Sequence, residues 1–293
     1  MPDLALGVVV LNRIDKLTKL LKSAEDTIID TVYVADNGEK TTEKESLFSQ
    51  GFDFNLNVLD LEYDVGLGTS RDAIVRAFDE EYLLIADSDH EIIDDLDRLI
   101  SILESREDIG GVAGSVMEPE RGRIWQSAKD FYESGSNLVR SADFNEKKLE
   151  QVNGSVFVQF DFVPYPTLYR AECLEDYSWD PEYPLGRAHV DFYVGHWKQT
   201  DWVFGICPQV HFGHYPGGNR SYTSHRRDSE KYRRAKSHFQ EKWGYDSIQP
   251  GRGYWYDTEG HPSLVEKAMN IYDDQGALTL LKEGIDWTSR KIK

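Results

Sequence analysis

The sequence predicts an α/β fold with a mainly parallel sheet flanked by helices. Apolar runs alternate strictly with amphipathic segments through the N-terminal third of the chain, the pattern of strand–helix–strand units with right-handed crossovers. The first run, residues 4–11, is continuously apolar and rich in Val, as expected for a strand buried on both faces. With 293 residues, 40% of them hydrophobic, the chain can bury the core that such a fold requires.

Strands and helices are predicted in regular order up to residue 86. Leu17, Leu20 and Leu21 recur at helical spacing, and Asp36-Asn37-Gly38 is a strong turn signal after the second apolar run. We predict strands at 4–11, 31–35, 57–61 and 82–86, and helices at 12–24, 42–50 and 66–78.

The remainder of the chain has a less regular pattern. It predicts a helix at 94–105, a strand at 110–117, strand-like stretches at 152–163 and 202–206, a proline-rich aromatic loop at 177–184, and a helix at 230–242. These stretches indicate a smaller antiparallel part and a C-terminal helical extension. We expect one domain over residues 1–215, with an extension over 216–293 packed on it.

The acidic composition argues against several classes of protein. Lys and Arg number 33 against 52 Asp and Glu, a net charge of −19, which disfavours general nucleic-acid binding. Carboxylates also keep proteins hydrated in salt-rich cytoplasm, so we expect a halophilic archaeal source; an acidic mesophilic enzyme is the alternative. Because its apolar runs are short, we expect no segment that spans a bilayer, and we expect no signal peptide. Because Cys173 and Cys207 are too few for a disulfide framework, we expect a cytoplasmic protein.

The most informative motif is Asp87-Ser88-Asp89, directly after the apolar strand at 82–86. Ligands of α/β sheets bind beyond the carboxyl ends of the strands. Carboxylate oxygens are the ligands that Mg²⁺ and Mn²⁺ prefer in proteins. The motif therefore indicates a divalent cation that bridges to a substrate diphosphate. The alternative is an acidic turn that continues into His90-Glu91.

Five motifs follow one another in a characteristic order. They are Val9-Val10-Leu11-Asn12-Arg13, Asp36-Asn37-Gly38, Gly66-Leu67-Gly68-Thr69-Ser70-Arg71, the strand ending in Asp87-Ser88-Asp89, and Trp179-Asp180-Pro181-Glu182-Tyr183 followed by His189-Val190-Asp191-Phe192. This order resembles the GT-A fold glycosyltransferases of family 2 over residues 4–215. The resemblance implies a metal-dependent, inverting hexosyltransferase that moves a sugar from a nucleoside-diphosphate sugar, with UDP-sugars as the expected donors, to a hydroxyl acceptor.

The resemblance also implies which residues contact the donor. Asn12 lies where the family's backbone cradles the base, with a helix N-cap as its alternative role. Asp36 matches an acid that faces the base or ribose, although it would also serve as a turn-former. Arg71 matches an arginine that reaches the nucleotide, with surface pairing to Asp72 or Asp36 as the alternative. Asp87 leans toward the ribose or a metal-bound water.

Three residues are implied as ligands of Mn²⁺ or Mg²⁺. Asp89 contacts the cation directly in the family's arrangement, and Asp87 lies beside it. His211 and His214 lie where relatives often show a histidine near the end of the last core strand, and His214 would complete the metal shell or touch the diphosphate. A lone histidine is more often structural, and that alternative stays open for His214.

A basic loop breaks the acidic pattern after residue 215. Arg226 lies in it with Arg220, His225 and Arg227. A local positive charge would suit a mobile clasp over the donor's diphosphate, and we expect Arg226 to contact it. The alternative is a solvated helix start that forms ion pairs with Asp228 and Glu230.

An inverting transfer needs a base on the face opposite the leaving group. Family members carry a Glu-Asp pair where this chain has Ala188-His189. We therefore predict either Asp191 or His189 as the base and favour Asp191, since carboxylates are the commoner bases in the family. A helix N-terminal cap is the alternative for both residues. Trp179 is expected to stack on a sugar ring.

Two other functions compete with the transferase. A sugar-1-phosphate nucleotidyltransferase uses a similar sheet, but it needs a Gly-rich loop where this chain has Leu11-Asn12-Arg13-Ile14-Asp15. A non-catalytic sugar-nucleotide or glycan-binding module is the alternative that Ala188 keeps open. The acceptor is expected to be a glycan, lipid-linked or protein-linked. A lipid-linked acceptor would be reached by peripheral contact with the membrane.

Overall fold

The structure is a computed structural model that describes residues 3–25, 27–142, 147–217, 225, 228–250 and 255–259. The chain folds into a large, mostly parallel central sheet flanked by helices, which confirms the predicted fold class. Internal contacts divide the chain into two compact units, Met1–Tyr256 and Asp257–Lys293. The site lies in the first unit. The predicted boundary at residues 215 and 216 stays a prediction.

The N-terminal half of the sheet is parallel. Its strands are β1 (Leu4–Val10), β2 (Thr31–Asp36), β3 (Asn55–Asp60) and β4 (Tyr82–Asp87). They lie in the order β3-β2-β1-β4, so that β1 is paired on both edges and every residue of it but Val9 is buried. Burial on both faces explains why β1 reads as a continuous apolar run.

Helices connect these strands and cover the sheet. They are α1 (Ile14–Ala24), α2 (Thr42–Phe48), α3 (Leu67–Ala77) and α4 (Asp97–Ser105). α1 buries Leu17, Leu20 and Leu21 against the sheet, which is the face that the spacing predicts. α4 begins later than predicted because the short strand β5 (His90–Ile92) precedes it.

The second half of the sheet mixes strand directions. The further strands are β6 (Ile109–Glu118), β7 (Arg123–Gln126), β8 (Asp130–Ser134), β9 (Asn137–Ser141), β10 (Glu150–Val152), β11 (Ser155–Phe160), β12 (Thr167–Arg170), β13 (Val203–His214), β14 (Ser247–Pro250) and β15 (Tyr256–Asp257). β12 pairs antiparallel with β4 and β6, β13 runs parallel to β6, and β11 lies antiparallel to β13. A separate small sheet has the order β14-β9-β8.

Three further helices are described: α5 (Ala171–Asp176), α6 (Ala188–Gln199) and α7 (Ser229–Trp243). The sequence predicts α7 to within a residue or so but gives no signal for α6. The reason is burial: Val190, Phe192, Tyr193 and Val194 in α6 are all buried. A helix that is apolar around most of its circumference lacks the amphipathic period on which such predictions depend.

β13 is much longer than the predicted strand at 202–206. The register of β13 against β6 shifts between Ile206 and His211, and pairing resumes as far as Gly213. The far end of β13 also pairs with β5, with His214 opposite His90. This second pairing brings His214 to the end of the sheet where β4 ends. The sequence does not predict it, because Pro208 interrupts the apolar run of the strand.

α7 is fastened to the body of the protein by a buried carboxylate. Asp191, in the first turn of α6, is 0% exposed. Its two oxygens accept hydrogen bonds from Tyr183 (2.9 Å), Tyr177 (3.1 Å), the Lys242 ammonium (3.0 Å) and the Trp243 indole N–H (2.7 Å). Lys242 and Trp243 form the last turn of α7. Buried charges are tolerated only with such full pairing, so Asp191 fixes where α7 ends.

We expect Asp191→Ala to lower the free energy of unfolding by about 3 kcal/mol, because it leaves the Trp243 indole N–H without its acceptor and leaves the Lys242 ammonium with Asp180 alone of its two carboxylates. Chemical denaturation followed by tryptophan fluorescence measures this. The control is Asp201→Ala at an exposed position, which should change stability by less than about 0.5 kcal/mol. Equal stabilities of the two variants would contradict the anchoring role.

Candidate active site

A cleft lies at the carboxyl ends of β1, β2 and β4. Val10 of β1 is in register with Asp36, and Val9 is in register with Asp87, so the ends of the three strands are level. The cleft has a volume of about 300 Å³. Its floor comes from the loop after β1, the segment Asp87-Ser88-Asp89 and His214, and its opposite wall includes residues of α7.

Two arginines hold the carboxylates of the acidic motif. Arg13 lies 2.5 Å from Asp89 through Nη1 and Oδ2, and both side chains are at most 10% exposed. Arg71 lies 3.3 Å from Asp87 through Nη2 and Oδ1, with the Asp87 side chain 43% exposed toward the cleft. Burial raises the pKa of Asp89, but its contact with His214 and the charges of His90 and Arg13 outweigh burial, so that this pKa lies well below its usual range.

The residues around the motif fit a divalent cation. Ligand atoms of Asp87, Asp89 and His90 lie within 4.8 Å of one another. His90 is less suited to bind the ion, since its Nδ1 accepts the backbone N–H of Asp87 (3.0 Å) and the neutral ring then carries its proton on Nε2. Burial lowers the pKa of His90, which favours that neutral form.

His214 is the better imidazole ligand. Its Nε2 lies 3.6 Å from Asp89 Oδ2, and its buried Nδ1 has no hydrogen-bond partner among the described residues. Glu118 Oε1 lies 3.7 Å from that Nδ1, where a carboxylate commonly orients a metal-bound histidine. His211, the other histidine of β13, instead pairs with Asp94 (3.0 Å) and does not line the cleft.

The resemblance implies that Asp36 faces the nucleotide, but Asp36 does not line the cleft. It is 5% exposed and forms an ion pair with Lys44 of α2, whose Nζ also donates to the Leu11 carbonyl (2.9 Å). The glycine of the turn is needed for this packing, because a Cβ on Gly38 would lie 1.6 Å from the Leu11 oxygen. Asn37 takes the place at the cleft, held by a bond from its Nδ2 to Ser70 (3.0 Å).

Asn12 and Arg71 lie at the cleft, as predicted for donor-binding residues. Asn12 is not the N-cap of α1, because that position is Arg13. Arg71 pairs with neither Asp36 nor Asp72, which forms its own ion pair with Arg76.

The glycines before Arg71 allow a close approach of backbone from the loop at 180–184. A Cβ on Gly66 would lie 2.6 Å from the Pro184 Cα, and a Cβ on Gly68 would lie 2.2 Å from the Asp180 oxygen. The N–H groups of Leu67 and Gly68 donate to carbonyls of the loop at 180–184. The first turn of α3 therefore binds the protein's own backbone, so these two N–H groups are not available to an anion.

α7 brings a lysine to the far side of the cleft. Lys231 lies 2.6 Å from Asp64, which the His225 ring also contacts at 3.1 Å. Asp64 adopts a left-handed conformation (φ 53°) and bonds through its N–H to the Asn37 carbonyl (2.7 Å). The sequence offered no signal for Lys231 or Asp64, since their meeting depends on tertiary structure. Arg226, with Arg220 and Arg227, lies outside the described residues.

The two candidate bases differ sharply in their surroundings. Asp191 is fully enclosed and saturated with donors, and neither Asp191 nor His189 lines the cleft. His189 is half-buried, with its Nε2 bonded to the Val163 carbonyl (2.8 Å) and its Nδ1 without a partner among the described residues. Burial and the charges of Arg71 and Arg140 lower the pKa of His189 well below its usual value. His189 therefore presents a neutral ring with its Nδ1 lone pair unused.

Trp179 does not stack on a ligand. It is 1% exposed and lies parallel to Phe192 at a ring distance of 4.4 Å, with the Tyr169 ring against its edge. The prediction of a sugar platform is wrong, because the aromatic loop packs inward against α6.

Fold and cleft together define a protein of the GT-A glycosyltransferase class. The family model described as Glycosyl transferase family 2 matches residues 6–175, more than half of the chain. The chain therefore belongs to glycosyltransferase family 2. A search of the curated proteins finds no match.

Solved structures of low sequence identity share the fold. The crystal structure of GalNAc-T7 with UDP, GalNAc and Mn²⁺ matches with a TM-score of 0.57 at 13% identity, over 73% of this chain and 44% of that chain. The structure of S. aureus TarS 1–349 in complex with UDP-GlcNAc gives 0.50 at 16% identity, over 75% and 60%. This chain thus spans less than two thirds of either protein's length.

Proposed function

We propose that the cleft binds a nucleoside-diphosphate sugar together with Mn²⁺ or Mg²⁺ and transfers the sugar to a hydroxyl acceptor. The observation that carries this proposal is the meeting of Asp87, Asp89 and His214 at the ends of β4 and β13, with Arg13 and Arg71 beside them. Two carboxylates and an imidazole are a donor set that suits these ions. A cation bound there would neutralise charge on the departing diphosphate.

The side chains of this chain supply the rest of the donor site. Lys231 and Arg13 place positive charge on opposite sides of the cleft, where a diphosphate would lie between them. Asn12 and Asn37 present amide groups at the end of the cleft that lies toward Leu11 and Lys44. We place the nucleobase of the donor at that end. UDP is the nucleotide we test first, since GalNAc-T7 and TarS were crystallised with UDP and UDP-GlcNAc.

For an inverting transfer we propose His189, rather than Asp191, as the base that accepts the proton of the acceptor hydroxyl. The ring of His189 lies 4.0 Å from the Tyr165 ring at an interplanar angle of 44°, and the Arg71 guanidinium lies 4.5 Å from the same Tyr165 ring. Arg71 in turn binds Asp87, so three successive contacts join His189 to the motif. Asp191 is a positioning residue, because its four donors leave it no contact with a substrate.

We base a proposal for the cell compartment and the source organism on the composition of the chain. Within the described part of the chain, no helix is long and apolar enough to cross a membrane. Cys173 and Cys207 are both buried and free thiols. We propose a cytoplasmic enzyme of a halophilic archaeon that acts on a glycan, lipid-linked or protein-linked acceptor.

A non-catalytic sugar-nucleotide-binding module is the second candidate. The burial of Asp191 favours this module. A carboxylate is the usual base in the family, and the carboxylate of Asp191 is not accessible to a substrate. A module would bind UDP and Mn²⁺ as tightly as an enzyme but would release no UDP from a UDP-sugar.

Mn²⁺ binding should depend on His214 and not on His211. We expect His214→Ala to weaken binding about tenfold or more, since even loss of an orienting partner costs that much at metal sites. Electron paramagnetic resonance of free Mn²⁺, titrated in the presence of UDP, measures the affinity. His211→Ala, three residues away on the same strand, should bind like the parent protein. The same affinity for all three proteins would contradict the proposed cation site.

Turnover should depend on His189 and stability on Asp191. With the UDP-sugar that most raises the melting temperature, we expect His189→Ala to release UDP at least about a hundredfold more slowly, the usual contribution of a general base. The affinity of the His189→Ala variant for UDP should equal that of the parent protein. Asp191→Asn should melt at a lower temperature while the folded fraction keeps its rate. If Asp191→Asn alone abolished turnover without loss of stability, the assignment of the base would be wrong.

A further inference from the structure

We propose that Ser70 determines which nucleobase the donor carries, by orienting the side-chain amide of Asn37 so that its oxygen accepts a ring N–H of the base. The inference rests on the proposed transferase function and specifies its donor. It predicts donors with uracil, thymine or guanine, whose rings carry such an N–H, and it excludes donors with cytosine or adenine. Ser70 is a positioning residue, because it does not itself line the cleft.

The backbone of Asn37 is held on both sides at the end of β2. Its N–H donates to the Val10 carbonyl of β1 (3.1 Å), and its carbonyl accepts the N–H of Asp64 (2.7 Å). The residue lines the cleft and is 4% exposed. The amide group is therefore the part of Asn37 that can still turn, and its orientation decides what the residue presents to a ligand.

Ser70 fixes that orientation through two hydrogen bonds. Its hydroxyl donates to the Gly66 carbonyl, four residues earlier in the chain (2.7 Å), and its oxygen accepts a hydrogen from Asn37 Nδ2 (3.0 Å). A hydroxyl has a single hydrogen, so a Ser70 hydroxyl that donates to Gly66 presents only lone pairs to Asn37. The atom of Asn37 that faces Ser70 must consequently be the nitrogen. Ser70 is 0% exposed, so bulk water does not compete for these bonds.

The other atom of the amide, the Asn37 oxygen, lacks a donor. Oδ1 is buried and has no hydrogen-bond partner among the described residues. A buried polar atom without a partner costs free energy, and an amide oxygen accepts hydrogen bonds but does not donate them. A ligand that lies against Asn37 is therefore favoured when it presents an N–H or O–H there, and disfavoured when it presents a lone pair.

The order of the strands indicates that this part of the ligand is the base. β1 lies between β2 and β4, and the ends of the three strands are level. Adjacent strands are about 4.8 Å apart, so the end of β2 lies about 10 Å from the end of β4, which carries the acidic motif. In a nucleoside diphosphate the ribose separates the diphosphate from the base. With the diphosphate at Asp87 and Asp89, the ribose lies over the end of β1 and the base reaches Asn37.

Nucleobases differ in what they present at the middle of their pairing edge. Uracil and thymine carry a ring N–H at N3, and guanine carries one at N1, whereas cytosine and adenine have a lone pair on the corresponding ring nitrogen. The first group gives the Asn37 oxygen its hydrogen bond, and the second group places a lone pair against it. Turning the amide to suit cytosine would bring the Asn37 oxygen to the Ser70 oxygen, whose hydrogen would have to leave Gly66. A site of this kind rejects the base that lacks the N–H.

The test compares UDP with CDP, which have the same charge and the same ribose and differ at the pairing edge of the base. Affinities are measured by calorimetric titration in the presence of Mn²⁺. We expect the parent protein to bind UDP at least about tenfold more tightly than CDP, the effect of one hydrogen bond to a buried group that is left unmade. Asn37→Ala removes the acceptor and should lose this preference.

Ser70→Ala should also lose the preference, although Ser70 does not line the cleft. Without the hydroxyl, either orientation of the amide leaves one polar atom of Asn37 against a methyl group, so neither base is favoured and the two affinities become similar. Asn37→Asp presents an acceptor in every orientation and should keep the preference for UDP. A merely structural role of Ser70 would lower the melting temperature without changing the ratio of the two affinities.

Ser105→Ala is the matched control. The Ser105 hydroxyl likewise donates to the carbonyl four residues earlier, that of Ser101 (2.6 Å), but it lies in α4 and does not line the cleft. This variant should keep the parent's ratio of UDP to CDP affinity.

The inference is overturned if the parent binds UDP and CDP equally, if CDP binds more tightly, or if Ser70→Ala keeps the parent's ratio. It is also overturned if Asn37→Ala weakens UDP and CDP alike while 2′-deoxy-UDP binds the parent as weakly as UDP binds that variant, since Asn37 would then contact the ribose. UDP and Mn²⁺ binding to the parent is measured first. Its absence would contradict the proposed function, whereas binding without discrimination between the bases would contradict only the role of Ser70 and Asn37.

Discussion

Two ion pairs at the ends of the central strands, Arg13 with Asp89 and Arg71 with Asp87, are the constraint on which the site depends. Buried carboxylates ordinarily become protonated or move into solvent. Here each arginine engages one oxygen of its carboxylate and fixes its direction, and the pKa of the buried Asp89 lies well below its usual range. A carboxylate has lone pairs on both oxygens, so such a pair remains able to bind a cation. Since Arg13 follows β1 and Arg71 lies in α3, the pairs also join the strand ends to the helix that covers them.

A fully buried carboxylate, Asp191, organises the other side of the cleft through its own hydrogen-bond donors. Its four hydrogen bonds join the aromatic loop, α6 and the end of α7 into one packed unit. Lys231, near the start of α7, consequently has a fixed place opposite Asp64. The saturation that makes Asp191 a good anchor makes it a poor base, because a base needs a free lone pair in contact with the substrate. The Nδ1 of His189 is buried and has no hydrogen-bond partner among the described residues, so its lone pair is unused.

Sequence patterns predicted the parallel sheet and the place of Asp87 and Asp89 after its fourth strand, because strand ends in such sheets converge and apolar runs mark them. His214 was implied by the family resemblance alone. The patterns failed where a polar or aromatic residue is buried by distant parts of the chain. Asp36 meets Lys44, Asp191 meets Lys242, and Trp179 meets Phe192, all through tertiary packing that leaves no periodic trace. Gly66 and Gly68 show the same limit: the sequence indicated a close approach of backbone, but not that the approaching group is the loop at 180–184.

The central claim is that Asp87, Asp89 and His214 hold one divalent cation in front of a nucleotide diphosphate. Anomalous diffraction at the manganese absorption edge, from crystals grown with UDP and MnCl₂, tests it most directly. The account predicts a single strong peak bounded by these three side chains, with the diphosphate of UDP on its open side. A peak elsewhere in the cleft, or UDP bound with Arg13 still on Asp89 and no manganese beside it, would contradict the account.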